Sequence, residues 1–278
     1  MAATEGALTM RRIDAQGWAM AGSSNSSPSQ TMRIPVFAEL PAVSLDSAAL
    51  AAGGIVGFAA RDMRARPFAL LRSQIQRRLS RKQARLIWVT SAAPGEGKSF
   101  LSLNLAAALA RVSEAPVYLV DLDLRRGSLA ATLGQTPDVG VSDVLNGNEE
   151  DLSRVGWRIA EANLAVFPTR PIEEGSAELL AGERFARMAT GLRSLPSESI
   201  VLCDLPPVFA GDDAMITLER LDGYLLVVDS GKTTIKQVAH AIQLLEPTPC
   251  LGTILNRHKG GIADQYGYKY GYYGDDKI

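Results

Sequence analysis

The chain has no excess of charge of either sign. Its 29 Lys and Arg face 30 Asp and Glu, so bulk charge gives no support for non-specific nucleic-acid binding. Cysteine is scarce: Cys203 and Cys250 each sit in an apolar run, which excludes a disulfide framework or a cysteine metal site and leaves two small buried hydrophobes. Long hydrophobic runs are missing too. The longest stretch without a polar residue, Ala48 to Ala60, falls short of the roughly 20 residues a membrane helix needs. Met1 to Met10 contains Glu5 and no basic stretch leading into an apolar one, so it does not read as a secretory signal. These absences lead to the expectation of a cytoplasmic chain that crosses no bilayer.

A length of 278 residues suffices for one large α/β domain with a tail or two. Residues 1–60, rich in Ala, Ser, Pro and Gly and including Gly22 to Ser29, read as a flexible arm. A folded domain is expected over 61–260 and a tail over 261–278. From Pro67 to Leu79, Phe68, Leu71, Ile75 and Leu79 recur at steps of three and four, the period of an amphipathic helix. Strands are expected at Arg85–Thr90, Val117–Val120, Leu164–Phe167, Ile200–Cys203, Tyr224–Val228 and Leu251–Leu255. Helical patterns lie at Lys98–Arg111, about 176–193 and about 233–245. Near-continuously apolar strands alternating with helices indicate a mostly parallel sheet covered on both faces, whose ligands bind at the carboxyl ends of the strands.

The first of those ends carries Ala92-Ala93-Pro94-Gly95-Glu96-Gly97-Lys98-Ser99. Strand, glycine loop and helix follow in the order that a phosphate cradle requires, with loop N–H groups and a helix N-terminus facing an anion. Lys98 would contact the β- and γ-phosphates and Ser99 would ligate Mg²⁺. The strict pattern G-x-x-x-x-G-K-[ST] is not met, because Ala92 holds its first position. A plain turn with a solvated lysine is the alternative.

Two further ends supply carboxylates. Asp121-Leu122-Asp123-Leu124-Arg125 follows the second strand, and alternation puts Asp121, Asp123 and Arg125 on one side. Asp204 follows Ile200–Cys203 and precedes Pro206-Pro207. Mg²⁺ takes one or two carboxylates plus phosphates, so the set fits an Mg-nucleotide site with Asp121 or Asp123 left to accept a hydroxyl proton. Singly, acids at strand ends also serve as helix caps. Asn256, ending the last strand, offers a two-sided amide to a base edge.

Five of the seven tyrosines crowd the end of the chain: Tyr266, Tyr268, Tyr270, Tyr272 and Tyr273, spaced by glycine. Such spacing opposes helix and packed strand alike. Stacking on single-stranded nucleic acid conflicts with Asp275-Asp276. Self-association is another use. Beside a nucleotide site, the phenols read best as phosphoryl acceptors.

Together these residues resemble the bacterial tyrosine kinases of capsule and exopolysaccharide biosynthesis, the CpsD/CapB type, from about Arg64 to the end. Thr90–Ser99 is similar to that family's Walker A, Tyr118–Arg125 to its Walker A′ with D-x-D-x-R, and Ile200–Pro207 to its Walker B. The resemblance implies a P-loop fold like MinD and ParA and an ATP-dependent kinase that phosphorylates the tail in trans. It further implies that Lys98, Asp121, Asp123 and Asp204 are catalytic, that Pro94 to Phe100, Arg125 and Asn256 hold the nucleotide, and that Ser99, Asp121 and Asp204 hold Mg²⁺. The implied partners are a membrane polysaccharide co-polymerase of the Wzz/CapA kind as activator, further copies of the chain, and a cognate tyrosine phosphatase. No nucleic acid is among them. The implied location is the inner face of the cell membrane, reached through that activator.

Where the family's oligomerisation helix reads E-x-x-R-x-x-R, this chain has Arg66, Ala69 and Arg72. Phe100 and Gly127 stand at a usual threonine and proline. Two rivals remain: a MinD/ParA-like ATPase, whose signature lysine is Ala93 here, and a nucleotide-binding scaffold that transfers no phosphate.

Overall fold

A computed structural model describes residues 31–82 and 84–258. The chain opens with a short strand, β1 (Ala42–Val43), and helices α1 (Ser47–Ala52) and α2 (Arg66–Lys82). The expected strand–loop–helix follows as β2 (Leu86–Ser91) and α3 (Lys98–Ala110), then β3 (Val117–Asp121). Helices α4 (Leu129–Thr132) and α5 (Val141–Asn146) lead into β4 (Trp157–Ile159) and β5 (Leu164–Phe167). After them come α6 (Ser176–Ala181), α7 (Glu183–Arg193), β6 (Ile200–Asp204), α8 (Asp213–Ile216), β7 (Gly223–Asp229), α9 (Ile235–Leu244) and β8 (Cys250–Asn256).

The strands form one eight-stranded sheet in the order β1-β4-β5-β3-β6-β2-β7-β8. Its described pairs are parallel apart from the β4–β5 pair. Because successive strand side chains point to opposite faces, each central strand feeds two cores. Leu86 and Trp88 of β2 join Tyr118 and Val120 of β3 under α5, α6, α7 and α9. Ile87 and Val89 join Val117 and Leu119 under α2 and α3. Burial on both faces is why these strands read as unbroken apolar runs.

Two sequence expectations are corrected. Residues 31–60, read as part of a flexible arm, include ordered structure: Met32 and Leu40 are buried in the core, and β1 pairs with β4 through Ala42↔Arg158 and Val43↔Ile159. Their Ala/Pro/Ser composition imitates a linker, yet one or two well-placed apolar side chains suffice to pin such a segment. The single helix expected over 176–193 is two, since Gly182 adopts an extended conformation between α6 and α7. Residues 1–30 and the tail lie outside the described residues.

Among the described residues, no helix is long and apolar enough to cross a membrane. Cys203 is free and fully buried, and burial pushes its thiol pKa up, as suits an inert core residue.

Candidate active site

The carboxyl ends of β2, β3 and β6 converge because β6 lies between the other two in the sheet. β2 ends in a loop that must reverse tightly into α3. Gly95 (φ +80°) and Gly97 (φ +94°) make that reversal in the left-handed region, which favours glycine. Gly97 has a second reason: a Cβ there would run into the Asn256 side-chain nitrogen. Asn256 Nδ2 donates to the Glu96 carbonyl at 2.8 Å, so the end of β8 pins the loop.

Lys98 opens α3 and is buried. Its Nζ lies 2.5 Å from Asp123 Oδ2 and 3.5 Å from Asp204 Oδ2. Ser99 Oγ donates to Asp204 Oδ2 at 2.5 Å, and Ser102 Oγ, one turn along α3, donates to Oδ1 at 2.9 Å. Asp121 pairs in register with Asp204 across β3 and β6 and accepts from the backbone N–H groups of Asp123 (3.2 Å) and Leu129 (3.3 Å). The sequence-predicted Lys98, Ser99, Asp121, Asp123 and Asp204 therefore form one cluster.

Its electrostatics follow from burial. Asp121 is driven well above the ordinary carboxylate range, first by desolvation and then by Asp204 beside it, with Lys98 pulling the other way. Asp204 is raised by burial against the opposing pull of Lys98, Ser99 and Ser102. For Lys98, burial presses the pKa down, but Asp204 and Asp123 outweigh it and hold the ammonium above its usual value. This is a site with carboxylates in surplus over cations, and a surplus of buried negative charge suits a divalent cation.

Other predicted residues sit differently. Phe100 turns its ring into the core against Phe68, centroids 5.8 Å apart, so its side chain does not face the loop. Arg125 does not join the Lys98 cluster: its Nε donates to Ser176 Oγ (2.8 Å) and lies 3.3 Å from Asp213. Asn256 has each end of its amide engaged once, Nδ2 donating to the Glu96 carbonyl and Oδ1 accepting from Arg257 N at 2.9 Å, which leaves one N–H and one lone pair for a further partner. Pro94 and Gly95 are exposed at the loop tip. The Glu96 carboxylate folds back, accepting from Ala92 N (3.0 Å) and from Thr233 Oγ1 (2.5 Å). The five tail tyrosines lie outside the described residues.

Sequence reasoning missed Ser102 and Thr233. Ser102 was findable, since three residues beyond Ser99 on a helix is the same face. Thr233 carries no local signal, because its partner Glu96 is far away in the chain.

The CobQ/CobB/MinD/ParA nucleotide-binding domain family matches residues 87–268. The tyrosine-protein kinase YwqD of Bacillus subtilis is 31% identical over 75% of this chain and 87% of its own length. The chain belongs to this family of bacterial tyrosine-protein kinases. A longer relative, the tyrosine-protein kinase wzc of Salmonella typhimurium, is 30% identical over 74% of this chain but only 29% of its own length. Among solved structures, the chimerical protein CapA2B2 superposes with a TM-score of 0.67 at 25% identity, covering 80% of this chain and 94% of that one. The family accounts for the Lys98 cluster as a nucleotide-binding P-loop site. The solvated-lysine reading of Gly95 to Ser99 fails, because Lys98 is buried between two carboxylates.

Proposed function

We propose that the chain is an ATP-dependent protein-tyrosine autokinase of capsule or exopolysaccharide assembly that phosphorylates its own terminal tyrosines. The observation carrying this reading is that Lys98, Ser99, Asp123 and Asp204 converge within hydrogen-bond reach in a chain of the bacterial tyrosine-protein kinase family.

The residues present fit Mg-ATP. The N–H groups of residues 95–99 would face the anion, Lys98 would neutralise charge on the β- and γ-phosphates, and Ser99 with Asp204 and Asp121 would hold Mg²⁺. Bound there, Mg²⁺ would supply charge neutralisation at the phosphates. Glu96, clamped by Ala92 N and Thr233, fixes the loop in its curved form, so little ordering cost remains for binding. Transfer breaks the bond between the γ-phosphorus and the β–γ bridging oxygen and makes one to a tyrosine oxygen. Asp123 takes the phenolic proton, and ADP leaves. Asp123 suits that role because it lies just beyond β3, whereas Asp121, in register with Asp204, is the carboxylate placed to hold the ion. Arg125 orients the far side of the site through Ser176 and Asp213.

The acceptors are Tyr266, Tyr268, Tyr270, Tyr272 and Tyr273 of a neighbouring copy, reversed by a cognate phosphatase. Likeness to a chimerical protein and to the longer wzc supports a second protein, a membrane co-polymerase, as activator and as the route to the membrane. Each phosphotyrosine adds nearly two negative charges, so a cluster of them repels itself and loosens an assembly. Incubation with ATP, Mg²⁺ and the activator's cytoplasmic segment, followed by mass spectrometry, tests the reading. Phosphate on tail tyrosines is expected, and ATP binding without any phosphotyrosine would replace the kinase with a nucleotide-binding scaffold.

A further inference from the structure

Arg125 is held by one edge of its guanidinium. Its Nε donates to Ser176 Oγ at 2.8 Å and lies 3.3 Å from Asp213 Oδ2, while Ser176 Oγ donates to the same carboxylate at 3.0 Å. Ser176 and Asp213 are buried at the starts of α6 and α8, so the anchor belongs to two helices and not to a surface loop. Neither terminal nitrogen of the guanidinium donates a hydrogen bond to a described residue. The Arg125 side chain is 48% exposed where that of Lys98 is 10%, so the free fork opens at the rim of the site and not into the phosphate cradle.

That rim is where an acceptor must pass. Arg125 follows Asp123, the proposed base, by two residues, on a turn closed by the Asp123 carbonyl, which accepts from Arg126 N (3.0 Å) and Gly127 N (2.8 Å). In an extended peptide, residues two apart point to the same side, about 7 Å from one another. A phenol delivered to Asp123 therefore carries the side chain two residues away toward Arg125, whose fork suits a carboxylate or a phosphate. The end of the chain is spaced for this. Asp264 precedes Tyr266 by two, and Tyr268, Tyr270 and Tyr272 continue the same interval. Asp264 is the anion for Tyr266. Once phosphorylated, Tyr266 becomes the anion for Tyr268, and the relation repeats as far as Tyr272.

We infer that Arg125, positioned by Ser176 and Asp213, selects a tyrosine that has an anion two residues before it, so that phosphorylation starts at Tyr266 and advances to Tyr272. The inference rests on the kinase reading and deepens it. Each step moves the γ-phosphoryl group of ATP to a phenolic oxygen, with the proton passing to Asp123 and ADP released. Tyr273, with Gly271 two residues before it, falls outside the series. The opposite polarity, an anion two residues after the acceptor, would serve Tyr273 through Asp275 and stop there, because Gly271 holds the next place.

Time-resolved mass spectrometry of the full chain, incubated with ATP and Mg²⁺, tests the order. Phosphate is expected on Tyr266 first, then on Tyr268, Tyr270 and Tyr272 in turn. Asp264→Asn should slow labelling of Tyr266 up to about fivefold, the range of an exposed ion pair. Tyr266→Phe should delay the three tyrosines beyond it, whereas Tyr266→Glu, with a carboxylate at the same place, should restore labelling of Tyr268. Arg125→Ala should abolish the effect of Asp264→Asn, and the tail substitutions test the inference even where that variant fails to fold. Labelling that begins at Tyr273, that proceeds equally on all five, or that keeps its order through Asp264→Asn and Tyr266→Phe would overturn the inference and leave the kinase standing. A chain that gains no phosphotyrosine at all would overturn both.

Discussion

Asp121 and Asp204 stand opposite one another in the register of β3 and β6, two fully buried carboxylates at adjacent strand ends with Lys98 as the nearby cation. Neither position improves the stability of the empty protein. Both residues hold a proton more tightly than they would in an unfolded chain, chiefly through burial.

The sign of the pH dependence follows. A carboxyl whose pKa is raised on folding favours the folded state most when protonated, so this contribution declines as pH climbs above about 4, the unfolded value. Asp121→Asn removes one of the two charges. It should stabilise the nucleotide-free protein at neutral pH by about 1–2 kcal/mol and flatten the decline, while lowering phosphotransfer. Urea denaturation across a pH series measures the first effect. A variant less stable than wild type at neutral pH would show that the Asp121 charge is already compensated.

Lys98 presents the opposite case. Removing it leaves Asp123 and Asp204 buried without their cation, so Lys98→Met should cost about 3–5 kcal/mol as well as activity. Adding Asp123→Asn removes the closer of the two stranded charges. The double variant should therefore recover a large part of the lost stability and none of the activity. Independent, additive costs in the double-mutant cycle would mean that the 2.5 Å pair contributes no coupling.

Gly95 and Gly97 separate strain from collision. Both have positive φ, but a Cβ on Gly95 meets nothing within 4 Å, whereas one on Gly97 strikes Asn256. Gly95→Ala should cost about 1 kcal/mol in stability and leave nucleotide affinity within a few fold. Gly97→Ala should break the Asn256–Glu96 contact and weaken nucleotide binding at least about tenfold. Titration with a fluorescent ATP analogue distinguishes them, and equal losses would assign the effect to backbone strain alone.

Much of this was legible in the sequence because the central strands are buried on both faces and end in the residues that converge. β5 runs Leu164–Phe167, as its apolar run predicts. Lys98, Asp121, Asp123 and Asp204 meet as their placement at strand ends requires. What was not legible depends on partners distant in the chain. The two-residue β1 has no periodicity to read, and it exists because β4 offers Arg158 and Ile159 as an edge. Arg125 shares a side with Asp121 and Asp123 by alternation, but the chain has left β3 by then, and Ser176 with Asp213 captures the guanidinium. Phe100 follows Ser99 by one position, and a helix turns successive side chains about 100° apart, which sends the ring into the core.

The proposed catalytic groups and the proposed acceptors belong to one chain, and which copy's tail a site uses can be decided directly. The Lys98→Met/Asp123→Asn variant lacks both the phosphate-binding cation and the proposed base, yet keeps Tyr266 to Tyr273, and its recovered stability makes it a folded acceptor. Mixed with a wild-type chain whose five tail tyrosines are changed to phenylalanine, it should acquire phosphotyrosine, because the only intact site then belongs to the other copy. The five-phenylalanine kinase alone and the double variant alone should both stay unlabelled. If the mixture also stays unlabelled while wild type labels itself, transfer occurs within one chain and the trans mechanism fails. If labelling in the mixture rises in proportion to the concentration of the five-phenylalanine kinase, the acceptor reaches a neighbour's Asp123 by encounter between chains.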